Sequence, residues 1–314
     1  LNSVNTLYDS MQSIAITLVL VLGLIILVIS VLYSGQVVMP MKEVAGSIAM
    51  ISSGDFNETM QITGYSEAED ISDKFNSMLS VLQNLEDARQ EFVSNVSHEL
   101  KTPITSVKVL AESLIGQENV PVELYQEFMV DINEELERMN KIINDLLTLV
   151  KMDKNASEVN ISEVNINEFL EAILKQLQPI ADKRNIEMIF ESVRSVTAQV
   201  DEVKLAMAFR NLIENAIKYN YDNGWVRVSL NADHKFFYLK VSDSGVGIPE
   251  ELQDSIFERF YRVDKARSRE TGGNGLGLAI TRNAILLHRG SIKVHSIEQQ
   301  GTTFAVRIPL MYSE

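Results

Sequence analysis

The segment Ser97-His98-Glu99-Leu100-Lys101-Thr102-Pro103 sets an imidazole beside a carboxylate. A solvent-facing imidazole can act as a nucleophile, and an adjacent acid can accept or orient its other ring proton. Phe92, Val96, Leu100, Ile104 and Val107 recur every three or four positions and so share one helical face. His98 lies two residues past Val96, roughly 200° around at about 100° per residue, and therefore points outward. Taken alone, the pair describes many solvated helix surfaces, because short motifs are weak evidence.

Three downstream segments change its weight. Asn211 and Asn215 stand four apart on a helical pattern, with Lys218 and Tyr219 further along the same face. Asn is a mediocre helix former, so two at one spacing need a reason, although a surface helix would tolerate them. Asn amides suit a hydrated Mg²⁺, which prefers oxygen and keeps several waters, and Lys218 suits phosphate as a point cation. Val241-Ser242-Asp243-Ser244-Gly245-Val246-Gly247 reads as a strand ending in an acid and two glycines. Asp243 there can accept from an adenine amine, and the glycines let backbone approach a base; by itself the segment reads equally as a hairpin turn. Gly272-Gly273-Asn274-Gly275-Leu276-Gly277-Leu278 opens a helix, whose N–H groups and dipole favour phosphate oxygens. It lacks the Gly-Lys-Ser/Thr of a P-loop. The polar, basic stretch Arg262–Thr271 has the character of a lid over phosphates, and Gly301-Thr302-Thr303-Phe304 closes the set.

The elements that position these groups fall into distinct sections. From about Asn155, strand-like runs at Ile186–Phe190, Val226–Leu230, Phe236–Val241, Ser291–His295 and Phe304–Ile308 alternate with helical stretches near Ile166–Lys183, Glu202–Tyr219 and Leu276–Leu287. That mixture predicts an α/β layered domain of roughly 150 residues. Before it, a helix carrying Ile132, Leu136, Met139, Ile143, Leu146 and Val150 pairs with the His98 helix across Gly116 and Pro121. Two such hairpins make a four-helix bundle, so a homodimer is expected. Pro103 has no N–H and frees the carbonyl of Glu99, so a bend is expected there. Further upstream Ile71, Phe75, Met78, Leu82 and Leu85 form a heptad seam. Val37, Met41, Val44, Ile48 and Ile51 form an amphipathic stripe ended by Gly54.

Ile14–Tyr33 is twenty residues without a charge, long enough at ~1.5 Å per residue to cross a bilayer core of about 30 Å. No basic residue precedes it and no small-residue cleavage site follows, which disfavours a signal peptide. The chain begins with Leu1 rather than Met, so it is expected to be part of something longer. The 314 residues carry a net charge of −15 and no cysteine. The charge argues against a nucleic-acid partner, and the missing cysteine excludes disulfides and thiolate metal sites.

In order and content these motifs resemble the sensor histidine kinases, whose ATP-binding domain is shared with gyrase and Hsp90. The resemblance covers about residues 35 to 310. It implies a multidomain chain: the end of an extracytoplasmic segment at 1–13, a transmembrane helix at 14–33 and a HAMP signal-relay module at 34–87. A dimeric four-helix-bundle phosphoacceptor domain follows at 88–153, then a two-layer α/β sandwich (Bergerat-type) ATP-binding domain at 154–314. It implies His98 as the phosphorylated residue, Glu99 as the acceptor of its ring proton, and Thr102 as orienting a water or partner during dephosphorylation. Mg²⁺ and phosphates would be held by Asn211, Asn215, Lys218 and Tyr219, with Asn215 on the metal. Asp243, Gly245 and Gly247 would take adenine; Gly273, Gly275, Leu276, Gly277, Leu278 and Thr303 would complete the ATP cradle, with Arg262 and either Arg267 or Arg269 on phosphate. The implied partners are a second copy, the receiver domain of a cognate response regulator, the membrane and membrane partner proteins. The implied location is a bacterial cell membrane, with the catalytic domains cytoplasmic.

Gyrase-like and Hsp90-like ATPases usually carry a water-activating Glu where this chain has Asn211. An amide is no general base, which favours transfer to a protein nucleophile over hydrolysis. A membrane-anchored ATPase and a non-catalytic scaffold are the rival readings. Of the other histidines, His234 falls in a hairpin turn, His295 in a strand, and His288 at a helix end where a cation suits the dipole. Arg289 stands where many members of the family have glycine.

Overall fold

The computed structural model describes residues 2–34, 42, 46, 66–116, 121–154, 159–263 and 273–312. Most of the expected HAMP module, including the stripe ended by Gly54, lies outside these residues, as do Arg267 and Arg269. The chain divides into two compact units, Leu1–Val93 and Ser94–Glu314.

In the first unit, helix α1 (Asn2–Tyr33) contains Ser10–Tyr33, the one helix among the described residues long and apolar enough to cross a membrane. Helix α2 (Ser66–Ile115) begins in this unit. Its buried positions there are Ser72, Phe75 and Leu79, spaced three and four. Ile71, Met78 and Leu85 of the expected seam remain exposed, because a seven-residue stripe on one helix needs a second helix to cover it.

In the second unit, the rest of α2 and helix α3 (Val122–Lys154) precede the α/β layers. Helix α3 is apolar on two faces. Leu149 and Met152 join the α/β core, whereas Leu136, Ile143 and Val150 of the expected stripe are exposed in the single chain. Ile142 is buried and Ile143 is not, since adjacent residues sit about 100° apart on a helix.

The α/β layers contain β1 (Ser162–Asn165), α4 (Ile166–Asp182), β2 (Glu187–Ser192), β3 (Thr197–Val200) and α5 (Glu202–Lys218), then β4 (Trp225–Ala232), β5 (Phe236–Asp243), α6 (Gly277–Leu287), β6 (Ser291–Ile297) and β7 (Gly301–Pro309). The five-stranded sheet runs β2-β4-β5-β7-β6, parallel only between β2 and β4. Strict alternation buries Val226, Val228 and Leu230 of β4, Phe237, Leu239 and Val241 of β5, and Phe304, Val306 and Ile308 of β7. Their neighbours Arg227, Asn231, Lys240 and Arg307 face water. The buried row forms one core with Leu170 and Leu177 of α4, Phe209 and Leu212 of α5, and Ala284 and Ile285 of α6. All five strands and three helices read from the pattern are present. The short antiparallel pair β1–β3 had too few residues to show a period.

Caps fix the helix starts. Asn165 accepts from the N–H groups of Asn167 and Glu168, and Asp201 accepts from the Lys204 N–H at 3.0 Å. His288 departs from the sequence reading. It is 1% exposed, Nδ1 donates to the Ala284 carbonyl at 2.7 Å, and Nε2 accepts the Asp201 N–H at 2.8 Å. One nitrogen must donate and the other accept, which makes the ring neutral, and burial pushes its pKa down. It is a cross-brace between α5 and α6, not a cation on a helix dipole. Arg289 adopts φ +54, the left-handed conformation for which glycine is the usual residue, and its guanidinium lies 5.4 Å from the Tyr312 ring centroid.

Leu212, fully enclosed, and Val203, 65% exposed on the same helix, allow a test of this core. Leu212→Ala is expected to cost about 2–5 kcal/mol and Val203→Ala under about 0.5 kcal/mol, read from denaturant unfolding of the solubilised chain.

Candidate active site

Asp243 ends β5 on the buried side of the sheet. Its Oδ1 accepts the Gly245 N–H at 2.8 Å and the Thr302 N–H at 3.3 Å. Its Oδ2 has no hydrogen bond among the described residues, leaving an acceptor for an incoming donor. Burial pushes this carboxyl up to about 6, against the lowering by those two backbone donors.

The loop after Asp243 is stitched to the end of α5. The Val246 N–H donates to the Tyr219 carbonyl at 3.1 Å, and a Cβ on Gly245 would lie 2.3 Å from that same oxygen. Gly245 is thus required by close packing as well as by any approach to a base. Gly247 lies beside the Ile297 carbonyl with φ +71. Asn220, fully buried, accepts from Ser244 Oγ at 3.0 Å and donates to the Trp225 carbonyl at 3.0 Å. Arg184 holds the helix end from the other side. Its guanidinium donates to the carbonyls of Ile217, Lys218 and Asn220 at 2.7–2.9 Å and pairs with Asp222. These carbonyls lie at and just past the helix C-terminus, where intrahelical partners run out. Sequence reasoning missed Arg184 and Asn220, whose partners lie across turns and strands.

On α5, Asn211, Asn215 and Lys218 are half-buried along one face, as their spacing requires. Asn211 Nδ2 donates to the Gly277 carbonyl at 3.1 Å, fastening α5 to the first turn of α6. The Asn215 carbonyl accepts the Tyr219 N–H, and Lys218 Nζ lies 5.1 Å from the Tyr219 ring centroid. In the glycine run, Asn274 is buried. Its Oδ1 accepts the Leu276 N–H at 3.1 Å, and its Nδ2 donates to Asp145 of α3 at 2.7 Å. Gly275 takes φ +70 against the Phe260 backbone, where a Cβ would meet it at 2.6 Å. Leu276 is buried, and Gly273, Gly277 and Leu278 are half-buried at the start of α6.

His98 is exposed on α2, as its angular position predicts. Thr102 Oγ1 donates to the His98 carbonyl at 3.2 Å, a local bond that leaves its oxygen lone pairs open. Pro103 is accommodated within α2, which runs on to Ile115. Glu99 is engaged: its Oε2 pairs with Arg262 Nη2 at 2.5 Å. Arg262, expected on phosphate, is here on the phosphoacceptor box. Thr303 also differs from expectation. Its hydroxyl donates to Ser242 Oγ at 2.9 Å on the outer sheet face, and Thr302 is the residue on Asp243. Period-2 alternation makes neighbours in a strand face opposite sides.

Lys218 is half-buried among cations. Burial, then the cations Lys141 and Arg262, push its ammonium down to about 8, with Arg138 adding to the effect and Glu214 opposing it. The Asn215 amide oxygen suits a metal that arrives on a phosphate chain, and Lys218 suits the phosphates: no group of three His, Asp or Glu among the described residues could hold a metal alone. For stability, a lysine whose folded pKa lies below its unfolded value carries a penalty while charged. That penalty is present in full below pH 8 and relieved as pH rises to about 10.5. Lys218→Met is therefore expected to raise Tm at pH 7, with the gain shrinking to little by pH 10.5, checked by thermal unfolding across that range.

Comparison with known proteins agrees with this geometry. Residues 88–155 match the His Kinase A (phospho-acceptor) domain, and residues 200–311 the histidine kinase-, DNA gyrase B- and HSP90-like ATPase family. The chain is 36% identical over 281 residues to the sensor protein kinase WalK of Staphylococcus epidermidis, covering 88% of this chain and 44% of that protein. It is 37% identical over 276 residues to a WalK of Staphylococcus aureus, covering 86% and 64%. The chain thus spans about half the length of the curated relatives it matches. In fold, it resembles the histidine kinase ThkA in complex with the response regulator TrrA (TM-score 0.59, 24% identity, 73% of this chain and 64% of that one). It also resembles the Acinetobacter baumannii histidine kinase AdeS (TM-score 0.56, 23% identity, 68% and 98%). With a phosphoacceptor domain on α2 and α3 and an ATPase-type α/β domain after it, the chain belongs to the two-component sensor histidine kinases.

Proposed function

We propose that the chain autophosphorylates His98 from Mg-ATP and passes the phosphoryl group to an aspartate of a response regulator. The observation that carries this reading is the Glu99–Arg262 ion pair, because it brings the box holding the nucleophile against the edge of the nucleotide lobe. Asp243 Oδ2 would accept from the adenine amine, while Lys218 and the N–H groups opening α6 would meet phosphate. Mg²⁺, taken up with ATP and contacted by the Asn215 amide oxygen, would supply charge neutralisation at the phosphates. A His98 ring nitrogen forms the N–P bond in line as the bond from the γ-phosphorus to the bridging oxygen breaks and ADP leaves. Glu99 accepts the proton of the other ring nitrogen. Glu99 Oε2 is occupied by Arg262 Nη2, so Arg262 must first release Glu99. In the second step the regulator's aspartate attacks phosphorus and the imidazole leaves.

Hydrolysis by water is disfavoured because Asn211 is an amide committed to Gly277 and cannot serve as a base. Thr102, with its hydroxyl oxygen open, would orient water in dephosphorylating the regulator. The domain limits are proposed as 34–87 for HAMP, 88–153 for a dimerising phosphoacceptor and 154–314 for ATP binding. Leu136, Ile143 and Val150 supply an apolar stripe for a second copy. Helix α1 would anchor the chain in a bacterial membrane with the catalytic part in the cytoplasm.

Incubation with γ-labelled ATP tests the reading. Acid-labile, base-stable label is expected on the chain and absent from His98→Gln; label retained in that variant overturns the assignment. Free phosphate without labelled protein would instead make the chain an ATPase. Asp243→Asn, which exchanges an acceptor for a donor at Oδ2, is expected to raise the ATP concentration for half-maximal labelling at least about tenfold.

A further inference from the structure

Resting on the reading of α5 and α6 as a nucleotide site, the geometry assigns helix α3 a share in that site. Arg138, Lys141 and Asp145 stand three and four residues apart and so lie along one face of α3. That face is fixed by Asp145, which accepts from Asn274 of the glycine run at 2.7 Å. Lys141 and Arg138 therefore follow one and two turns along the helix, on the side facing the cradle. The attachment of α3 is firm, since Leu149 and Met152 on the same helix are buried in the α/β core.

The acids nearby are largely committed. Glu99 holds Arg262, Glu135 stands 3.7 Å from Arg138, Glu214 is 4.0 Å from Arg210, and Asp145 holds Asn274. Among the described residues Lys141 and Lys218 are in no ion pair; Lys141 acts electrostatically on Lys218 and on Asp145. Arg262 adds a further signal. Its side chain is 8% exposed, yet Nε is buried with no acceptor among the described residues. A buried guanidinium N–H without an acceptor is costly and asks for an anion.

We propose that Arg138 and Lys141 of the phosphoacceptor domain bind the phosphates of the nucleotide together with Lys218 and Arg262. Nucleotide affinity then depends on residues outside the ATPase domain. Phosphate also offers Arg262 an anion in place of Glu99, releasing the carboxylate when the donor arrives.

Equilibrium binding of Mg-ATP, Mg-ADP and AMP to the whole solubilised chain tests this. Arg138→Met/Lys141→Met is expected to weaken Mg-ATP about tenfold or more, Mg-ADP less, and AMP under about twofold. Lys141→Arg, which keeps the charge, should stay within about threefold of wild type. Unchanged Mg-ATP affinity in the double variant overturns the proposal, as does an equal loss for all three ligands, which would mean altered shape and not missing charge. Wild-type chain that binds none of the three overturns the nucleotide reading itself; a wild type that binds, with Lys218→Met weakened and the double variant not, overturns only the share of α3.

Discussion

A lysine withdrawn from water beside other cations loses free energy that apolar packing does not return. Lys218 is in that position, and much of the surrounding structure serves to hold it there. Phe209, Leu212, Ile213, Ala216 and Ile217 bury the opposite side of α5, so the helix cannot rotate Lys218 into solvent without exposing its core. Arg184 binds the carbonyls at its end, and Asn211 ties its middle to the first turn of α6. Unfavourable charge kept by a rigid frame marks a site shaped for something other than stability.

The same economy of charge governs the phosphoacceptor side. Glu99 and Arg262 each satisfy the other, and Asp145 and Asn274 do likewise across α3 and the glycine run. The first pair uses residues that the proposed chemistry needs elsewhere. A polyanion arriving at the cradle would compete for the cations and loosen the carboxylates. Such competition gives a physical route from nucleotide occupancy to the state of the box around His98, without requiring any change in the core.

His288 and Thr302 show how far side-chain identity alone can mislead. His288-Arg289-Gly290 reads as a basic helix end, yet the imidazole is a neutral brace whose two nitrogens are fixed by Ala284 and Asp201. Thr302 and Thr303 are the same residue type, yet Thr302 meets Asp243 through its backbone N–H while the Thr303 hydroxyl reaches Ser242, a difference that residue type does not carry. By contrast the core helices and strands were legible because burial imposes a period on them: every second residue of β4, β5 and β7, and one stripe of α5. The pair β1–β3 escaped because four residues do not make a period.

What the sequence determined by itself were properties with a local or periodic cause: the apolar length of α1, the outward angle of His98, the shared face of Asn211, Asn215 and Lys218, and the α/β class. Which groups meet depends on how the layers pack. That Arg262 holds Glu99, that Asp145 reaches Asn274, and that Arg184 closes α5 are contacts across 163, 129 and 33–36 positions of the chain. Such pairings follow from how packed layers bring distant segments together, and a linear pattern carries no period that specifies them.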